Sequence, residues 1–365
     1  MSSLDALPLR ADLRGRTPYG APQLDVPVRL NTNESSYDVP EDVALAVVEA
    51  VAREVRHLNR YPDREFTALR ADLAAYLGHG LTADQIWAGN GSNEVLQHLL
   101  QAFGGPGRTA LGFTPSYSMH PIISSGTGTA WVDGQRDEEF DLDAGHVAAQ
   151  VEQARPDVVF LCSPNNPTGT ALHLDVVERA YEATSGVVVV DEAYAEYARP
   201  GTPSALSLLP GRPRLVVTRT MSKAFSLAGA RVGYLAADPA VTDALRLVRL
   251  PYHLSSLTQA AARAALAHAP ALLATVEATK AQRDRIVGAL PAIGAHPVPS
   301  DANFVLFGGL ADEQRTWQAL LDRGVLVRDV GIRHHLRVTA GTPTETTAFL
   351  DALAAALTDP AGETR

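Results

Sequence analysis

Lysine is nearly absent from this chain: it occurs only at positions 223 and 280, and the other basic residues are arginines. Arginine forms better bidentate ion pairs, but its guanidinium stays protonated at neutral pH and cannot act as an amine nucleophile. A lysine kept in such a chain is therefore a candidate for amine chemistry, although it can also survive by chance. The surroundings of Lys223 and Lys280 have to separate these two explanations.

Other absences narrow the class of protein. Cys162 is the only cysteine, so no disulfide can form within the chain, which fits a reducing compartment. The sequence shows neither an apolar run long enough to span a membrane nor a secretory signal. The net charge of −10 provides no basic field to attract nucleic acids or anionic membranes. We therefore expect a cytoplasmic protein with small-molecule substrates, and no nucleic-acid, membrane or metal partner.

Short apolar runs alternate with helical patterns through the middle of the chain. Four consecutive valines at 187–190 suit a strand that is buried on both faces of a parallel sheet. The alternation predicts an α/β domain with a mostly parallel central sheet flanked by helices. The predicted strands are 86–88, 109–113, 158–162, 187–191, 215–218 and 232–236, and the predicted helices are 41–56, 66–77, 92–103, 145–154, 174–183 and 239–249.

The pattern changes after a long helix predicted over 256–289. Strands at 304–307 and 336–339, with helices at 312–323 and 343–357, indicate a smaller α+β unit. Residues 1–40 lack sustained periodicity and are predicted to form an N-terminal arm and lead-in. The predicted domains are therefore 41–265, which is large, and 266–365, which is small.

Polar segments follow four of the predicted strands, whose carboxyl ends should share one edge of the sheet, where ligands bind. The first is Gly89-Asn90-Gly91-Ser92-Asn93-Glu94, which opens a helix. Its free amides can bind a phosphate, and Ser92 is the expected N-cap. In the second, Asn165 and Asn166 lie between prolines and can present amide groups. Either segment can also be simply a well-formed turn.

The other two segments supply a carboxylate and an amine. Asp191 follows the four valines, and a buried carboxylate there needs a cation such as a protonated pyridine nitrogen, unless it caps a helix. Near Lys223, the hydroxyls of Thr220 and Ser222 and the guanidinium of Arg231 can bind a phosphate dianion. By contrast, Lys280 lies in the middle of a helix on an expected solvated face. Together the four segments provide what pyridoxal phosphate requires.

Nearly the whole chain resembles the histidinol-phosphate aminotransferase family, which has fold type I and belongs to class II of the pyridoxal-phosphate aminotransferases. This resemblance implies a large cofactor-binding domain, a smaller α+β domain and a homodimer. The matching stretches are Pro18-Tyr19, Leu30-Asn31-Thr32-Asn33-Glu34, Arg60-Tyr61-Pro62-Asp63, Gly91-Ser92-Asn93-Glu94, Thr114-Pro115-Ser116-Tyr117, Asn165-Asn166-Pro167-Thr168-Gly169, Asp191-Glu192-Ala193-Tyr194, Ser222-Lys223-Ala224-Phe225, Pro251-Tyr252 and Leu336-Arg337-Val338-Thr339.

The resemblance also implies a role for each site residue. Lys223, Asp191 and Tyr194 are the catalytic residues: Lys223 joins the cofactor covalently, Asp191 pairs with the pyridine nitrogen, and Tyr194 bonds the ring oxygen. The remaining cofactor-binding residues are Asn166 at the ring oxygen, Tyr117 on the ring face, Ser92, Asn93, Thr220, Ser222 and Arg231 at the phosphate, and Tyr61 at the phosphate in the neighbouring subunit. The substrate-binding residues are Arg337, which takes a carboxylate or an equivalent polar group, and Tyr19, Asn33, Tyr252 and Arg328.

The implied reaction transfers an amino group from glutamate to imidazole acetol phosphate, giving histidinol phosphate and 2-oxoglutarate. One departure bears on the substrate: the family usually continues Asn-Glu with Asn-Pro, whereas this chain has Ser35-Ser36 after Asn33-Glu34. The alternatives are an aromatic amino-acid aminotransferase, a biosynthetic relative with another amine substrate, and a decarboxylase such as threonine-phosphate decarboxylase. A non-catalytic regulator would need a nucleic-acid-binding module, for which the sequence leaves no residues.

Overall fold

A computed structural model describes residues 6–358 of the chain. Its largest sheet has seven strands in the order β2-β8-β7-β6-β5-β3-β4, and only β8 runs antiparallel to its neighbours. The prediction of a mostly parallel central sheet is therefore confirmed. In chain order the strands are β1 (Val28–Arg29), β2 (Ile86–Gly89), β3 (Thr109–Thr114), β4 (Ala130–Gln135), β5 (Val158–Cys162), β6 (Val187–Asp191), β7 (Leu215–Thr220), β8 (Gly233–Ala237), β9 (His296–Pro297), β10 (Phe304–Gly308), β11 (Val325–Leu326) and β12 (Leu336–Thr339).

Helices flank the large sheet, and none within residues 6–358 is long and apolar enough to cross a membrane. Gly78 ends the second helix with a φ of 69°, a value that glycine adopts more readily than other residues. In chain order the α-helices are α1 (Glu41–Val55), α2 (Thr67–Leu77), α3 (Ser92–Phe103), α4 (Met119–Gly126), α5 (Ala144–Ala154), α6 (Leu174–Ala183), α7 (Pro239–Val248), α8 (Ser256–Ala267), α9 (Ala269–Ile293), α10 (Glu313–Asp322) and α11 (Pro343–Thr358).

The central strands are buried along their whole length. Every residue of β5 and β6 is buried, and the two strands pair in parallel from Val158–Val187 to Cys162–Asp191. Burial of both faces explains the unbroken apolar runs of these strands. Strand β4, which the sequence did not predict, lies at the edge of the sheet and is mostly exposed, so it carries no such run.

A second, smaller core forms around the antiparallel sheet β9-β10-β12. It includes Ile286 from α9, Phe307 from β10 and Phe349 from α11. The lead-in segment contributes Leu30 to this core, and β1 pairs in parallel with β11. The N-terminal segment thus passes between the two cores before α1 begins, which brings residues 31–34 next to the edge of the large sheet.

Two local predictions were wrong. The long helix over 256–289 is two helices, α8 and α9, with His268 between them in a non-helical conformation. Pro270 lies in the first turn of α9; proline is tolerated there but has no N–H to continue a preceding helix. Ser92 is not an N-cap: Gly91 takes that position with a φ of 86°, and Ser92 is the first residue of α3.

Candidate active site

A cavity of about 620 Å³ lies at the carboxyl edge of the large sheet, where the N-terminal segment and the smaller unit cover it. It brings together residues from nine separate parts of the chain. Of the site residues predicted from sequence, those that line it are Tyr19, Asn33, Ser92, Asn93, Tyr117, Asn166, Asp191, Tyr194, Thr220, Ser222, Lys223, Arg231, Arg328 and Arg337.

Asp191 is a buried acidic residue in the wall of the cavity. It is the last residue of β6, and its side chain is buried. Its Oδ2 lies 3.1 Å from Nε2 of His120, and its Oδ1 accepts a hydrogen bond from Thr218 Oγ1 at 3.2 Å. The His120 ring stacks on Phe160 with centroids 4.7 Å apart, which fixes its orientation. A carboxylate held in this way is positioned to stabilise a cation that enters the cavity.

His120 is a functional residue that sequence reasoning missed. It lies in α4, three residues after Tyr117, which precedes the helix, and the two rings make an edge-to-face contact at 5.4 Å. No signal in the sequence could have found it, because nothing local marks His120 as the partner of an aspartate 71 positions away.

Lys223 reaches into the cavity from the turn after β7. Its Nζ donates a hydrogen bond to the backbone carbonyl of Thr32 at 3.1 Å. Burial, followed by the nearby guanidinium of Arg337, lowers the pKa of the Lys223 ammonium to about 8. A substantial neutral fraction therefore exists near physiological pH, as an amine nucleophile or base requires. Lys280, by contrast, does not line the cavity and pairs with Glu277; only 16% of its side chain is exposed, so it is partly buried rather than on the expected solvated face.

Hydroxyls and a guanidinium converge at one end of the cavity. Thr220 Oγ1 donates to Ser222 Oγ at 3.0 Å, and Arg231 Nη1 donates to the same Ser222 oxygen at 3.4 Å. The amino end of α3 supplies Ser92 and Asn93 opposite them. A Cβ on Gly91 would lie 2.3 Å from Arg231 Nη2, so glycine is needed for the guanidinium to pack against this turn. This end of the cavity suits an anion with several oxygens.

Tyr194 joins the sheet side of the cavity to the N-terminal segment. Its hydroxyl oxygen accepts hydrogen bonds from Asn33 Nδ2 at 3.0 Å and from Asn166 Nδ2 at 3.5 Å. Burial raises the pKa of Tyr194 to about 12, so its own proton stays in place at neutral pH. Because its oxygen accepts twice, that proton is available to donate to a ligand.

Arg337 presents a buried cationic group on the side opposite the sheet. Its Nη1 donates to Asn166 Oδ1 at 2.6 Å, and its Nη2 donates to the Asn31 carbonyl at 2.8 Å. Its Nε is buried and has no partner. Burial lowers the pKa of this guanidinium to about 10. An uncompensated buried donor of this kind is costly unless an anion binds there.

Two aromatic residues predicted for the site lie outside this cavity. Tyr61 and Tyr252 stack on each other with centroids 4.5 Å apart, and Tyr61 is 80% exposed.

Tyr19 does line the cavity mouth, where Arg328 lies 5.9 Å from its ring. At the departure after Glu34, Ser35 Oγ accepts from the Tyr37 backbone N–H at 3.2 Å, so a hydroxyl braces the turn that a proline would stiffen.

The donor groups fit a ligand with an anion at one end, a basic ring nitrogen at the other and an aldehyde between them. The hydroxyls near Arg231 serve the anion, Asp191 serves the nitrogen, and Lys223 can attack the aldehyde. A second anion would find the free Nε–H of Arg337. Such a site can take up an amine, hold a coenzyme and move a proton.

Comparison with known proteins identifies the class. The sequence profile described as "Aminotransferase class I and II" matches residues 26–353. The chain belongs to this family, and the architecture of fold type I expected from its sequence is confirmed by its structural neighbours.

The relatives narrow the class to the histidinol-phosphate aminotransferases, as the sequence resemblance indicated. One from Paenarthrobacter aurescens is 64% identical over 98% of this chain and 97% of its own length. One from Thermobifida fusca is 60% identical over 96% of each. The crystal structure of the Sinorhizobium meliloti histidinol-phosphate aminotransferase in complex with pyridoxal 5'-phosphate superposes with a TM-score of 0.82 at 26% identity, covering 91% of each chain.

Proposed function

We propose that this chain binds pyridoxal 5'-phosphate on Lys223 and transfers an amino group from glutamate to imidazole acetol phosphate, forming histidinol phosphate and 2-oxoglutarate. The observation that carries the proposal is the placement of Lys223 and Asp191 in one cavity, together with the hydroxyls near Arg231. The names of the relatives supply histidinol phosphate, and the family resemblance supplies glutamate and imidazole acetol phosphate.

The proposed cofactor contacts follow from the donor groups. Ser92, Asn93, Thr220, Ser222 and Arg231 hold the phosphate, and Tyr117 lies against the ring. Asp191 keeps a proton on the ring nitrogen, and His120 holds the Asp191 carboxylate in place. Tyr194 and Asn166 donate to the ring oxygen. When bound, the cofactor supplies an aldehyde that joins amines and a ring that withdraws electrons from the substrate carbon.

The proton transfer is assigned to Lys223. Burial lowers the pKa of the free Lys223 ammonium to about 8, so a fraction of this amine is neutral near pH 7. It can therefore remove the proton from the substrate carbon that bears nitrogen and deliver a proton in the reverse direction. The Thr32 carbonyl orients the Lys223 amine by accepting its hydrogen bond.

The substrates proposed here share anionic ends. Glutamate carries two carboxylates, and imidazole acetol phosphate carries a phosphate. Arg337 offers a free N–H in a buried position, and Arg328 stands at the cavity mouth beside Tyr19. Guanidinium groups bind carboxylate and phosphate alike through paired hydrogen bonds. Asn33 and Tyr19 complete the wall around the substrate, and Tyr252 stays a proposed substrate residue that lies outside this cavity, stacked on Tyr61.

The decisive experiment compares Lys223→Ala with Lys280→Ala. Purified wild-type protein with pyridoxal phosphate should show a visible absorption band that changes when glutamate or histidinol phosphate is added. Lys223→Ala should lose the band and at least about 1,000-fold in kcat, since it removes both the nucleophile and the base. Lys280→Ala should keep both. Full turnover by the Lys223 variant would refute the assignment, and faster half-reactions with phenylalanine or tyrosine would favour an aromatic aminotransferase.

A homodimer is part of the proposal. Exposed apolar side chains occur on and just after α1, at Val48 and Leu58, and at and just after the end of α7, at Leu247 and Leu250. The exposed ring of Tyr61 stacks on Tyr252, two residues beyond Leu250. A second copy of the chain would cover this surface and receive Tyr61 at its own phosphate site. We expect Val48→Glu to yield monomers with little activity in sedimentation and rate measurements, and Val132→Glu on β4 to remain dimeric. A fully active monomer would contradict the shared site.

A further inference from the structure

Glu94 stabilises the turn before Ser92 and Asn93 through hydrogen bonds to Asn90. Glu94 Oε2 accepts a hydrogen bond from the backbone N–H of Asn90 at 2.6 Å and another from Asn90 Nδ2 at 2.8 Å. One carboxylate oxygen of α3 therefore closes a loop over Gly91 and Ser92. Hydrogen bonds to an ionised acceptor are stronger than neutral ones, so this contact is well suited to fix the turn.

Asn90 is also fixed from its other side. Its Nδ2 donates to the backbone carbonyl of His253 at 2.9 Å. The His253 ring stacks on Trp87 with centroids 5.7 Å apart, and its Nε2 lies 3.0 Å from the Ala88 carbonyl. The Asn90 side chain thus connects the turn to a segment that is itself anchored on β2.

The turn has little room to move. Gly91 has a φ of 86°, which disfavours any other residue, and its α-carbon faces the Arg231 guanidinium. On the opposite side, a Cβ on Gly233 would come within 2.0 Å of the Ser92 backbone nitrogen. Because Arg231 and β8 confine the turn so closely, a small displacement of Asn90 would change the placement of Ser92 relative to Arg231.

We propose that Glu94 and Asn90 are positioning residues for the phosphate end of the cavity: they preorganise the turn that receives a phosphate without touching the phosphate themselves. This inference rests on the proposed function. The inference also predicts the direction of each change in phosphate affinity. The negative charge of Glu94 opposes binding of an anion, whereas its hydrogen bonds to Asn90 favour binding. Glu94→Gln loses the charge but keeps an oxygen acceptor, and Glu94→Ala loses both, so the two variants must differ in affinity.

The test measures dissociation constants for pyridoxal phosphate and for pyridoxal, which has the aldehyde and the ring but no phosphate. Glu94→Ala should weaken pyridoxal phosphate about tenfold, the effect of losing one or two hydrogen bonds, and should leave pyridoxal within about twofold. Glu94→Gln keeps an oxygen acceptor and should stay within about threefold of wild type for both ligands. Asn90→Ala should lose affinity for the phosphorylated ligand alone, and Gln97→Ala, on the exposed side of α3, should change neither constant.

Equal weakening of both ligands, or no weakening of either, would overturn the positioning role and leave Glu94 a residue of folding only. If Glu94→Ala does not fold, Asn90→Ala provides the test through the same comparison of the affinities for pyridoxal phosphate and pyridoxal. This variant removes both hydrogen bonds of Asn90 Nδ2, to Glu94 and to the His253 carbonyl, and leaves the Glu94 carboxylate in place. The proposed function fails separately: in that case the wild-type protein forms no visible band with pyridoxal phosphate, before any variant is compared.

Discussion

The two sides of the cavity are built in different ways. On the sheet side, Asp191 ends strand β6, and Lys223 and Ser92 lie three residues after the ends of β7 and β2, so the regular sheet sets their positions. On the opposite side, Arg337 from the smaller unit bonds the Asn31 carbonyl, 306 positions away in sequence, and Thr339 bonds Asn33 across the same gap. One side is held by a continuous buried framework, and the other is assembled from two segments that meet only in the folded chain.

This difference suggests a division of labour. Under the proposed function, the sheet side holds the groups that every amino transfer on pyridoxal phosphate needs, whatever the substrate. The opposite side holds the guanidinium groups and the N-terminal segment, which would meet the variable part of each substrate. Changes on the sheet side should therefore affect all substrates alike, whereas changes on the opposite side should discriminate among them.

The largest effect is expected from Asp191→Ala on the sheet side. It removes the carboxylate that stabilises the ring cation and leaves His120 without its partner. We expect kcat/KM to fall by about 100- to 1,000-fold, in line with the loss of a preorganised electrostatic contact. The fall should be equal for glutamate and histidinol phosphate in half-reactions. Asp133→Asn on the exposed edge strand is the control, and a fall confined to one substrate would remove the proposed division.

The contrast also marks what the sequence could predict. Strand ends, glycine turns and the isolated lysine are local signals, and they located Asp191, Lys223 and the turn at Ser92. The fold brings most of the predicted site residues into one cavity, and their chemical roles stay predictions. The sequence could not predict that the Thr32 carbonyl accepts a hydrogen bond from Lys223, because every residue has a backbone carbonyl and the residue type gives no signal. His120, the partner of Asp191, was missed because the two residues are far apart in the sequence. The predicted domain limits stay predictions.

A smaller, selective effect is expected from Arg337→Lys on the opposite side. Lysine keeps the charge but loses the planar fork that bonds Asn166, Asn31 and an incoming anion. We expect KM to rise about 10- to 100-fold, the range for losing a hydrogen bond to a charged group, with a smaller change in kcat. The rise should differ between glutamate and histidinol phosphate. Arg315→Lys on the exposed face of α10 is the control and should change neither KM nor kcat. An equal loss of kcat for both substrates would instead group Arg337 with the residues of the sheet side.

The smallest effect concerns stability, and it separates the two lysines. Burial lowers the pKa of Lys223 from 10.5 to about 8, so between these pH values the unfolded chain binds more protons than the folded one. The free energy of unfolding therefore rises with pH across this window, and the whole cost of the buried charge is present below pH 8. Without cofactor, Lys223→Met should be more stable than wild type at pH 7 by about 1–2 kcal/mol, since one pKa unit corresponds to about 1.4 kcal/mol and water in the open cavity screens part of it.

Urea unfolding of the cofactor-free proteins at several pH values measures this difference. The advantage of Lys223→Met should shrink steadily as the pH rises from 8 towards 10.5, because the lysine of the wild type loses its charge in the folded state first. Lys280→Met removes only the ion pair with Glu277 and should change stability by less than about 0.5 kcal/mol at every pH. An advantage that does not depend on pH would show that Met at 223 stabilises by packing, and that the lysine in the cavity bears no electrostatic cost for its chemistry.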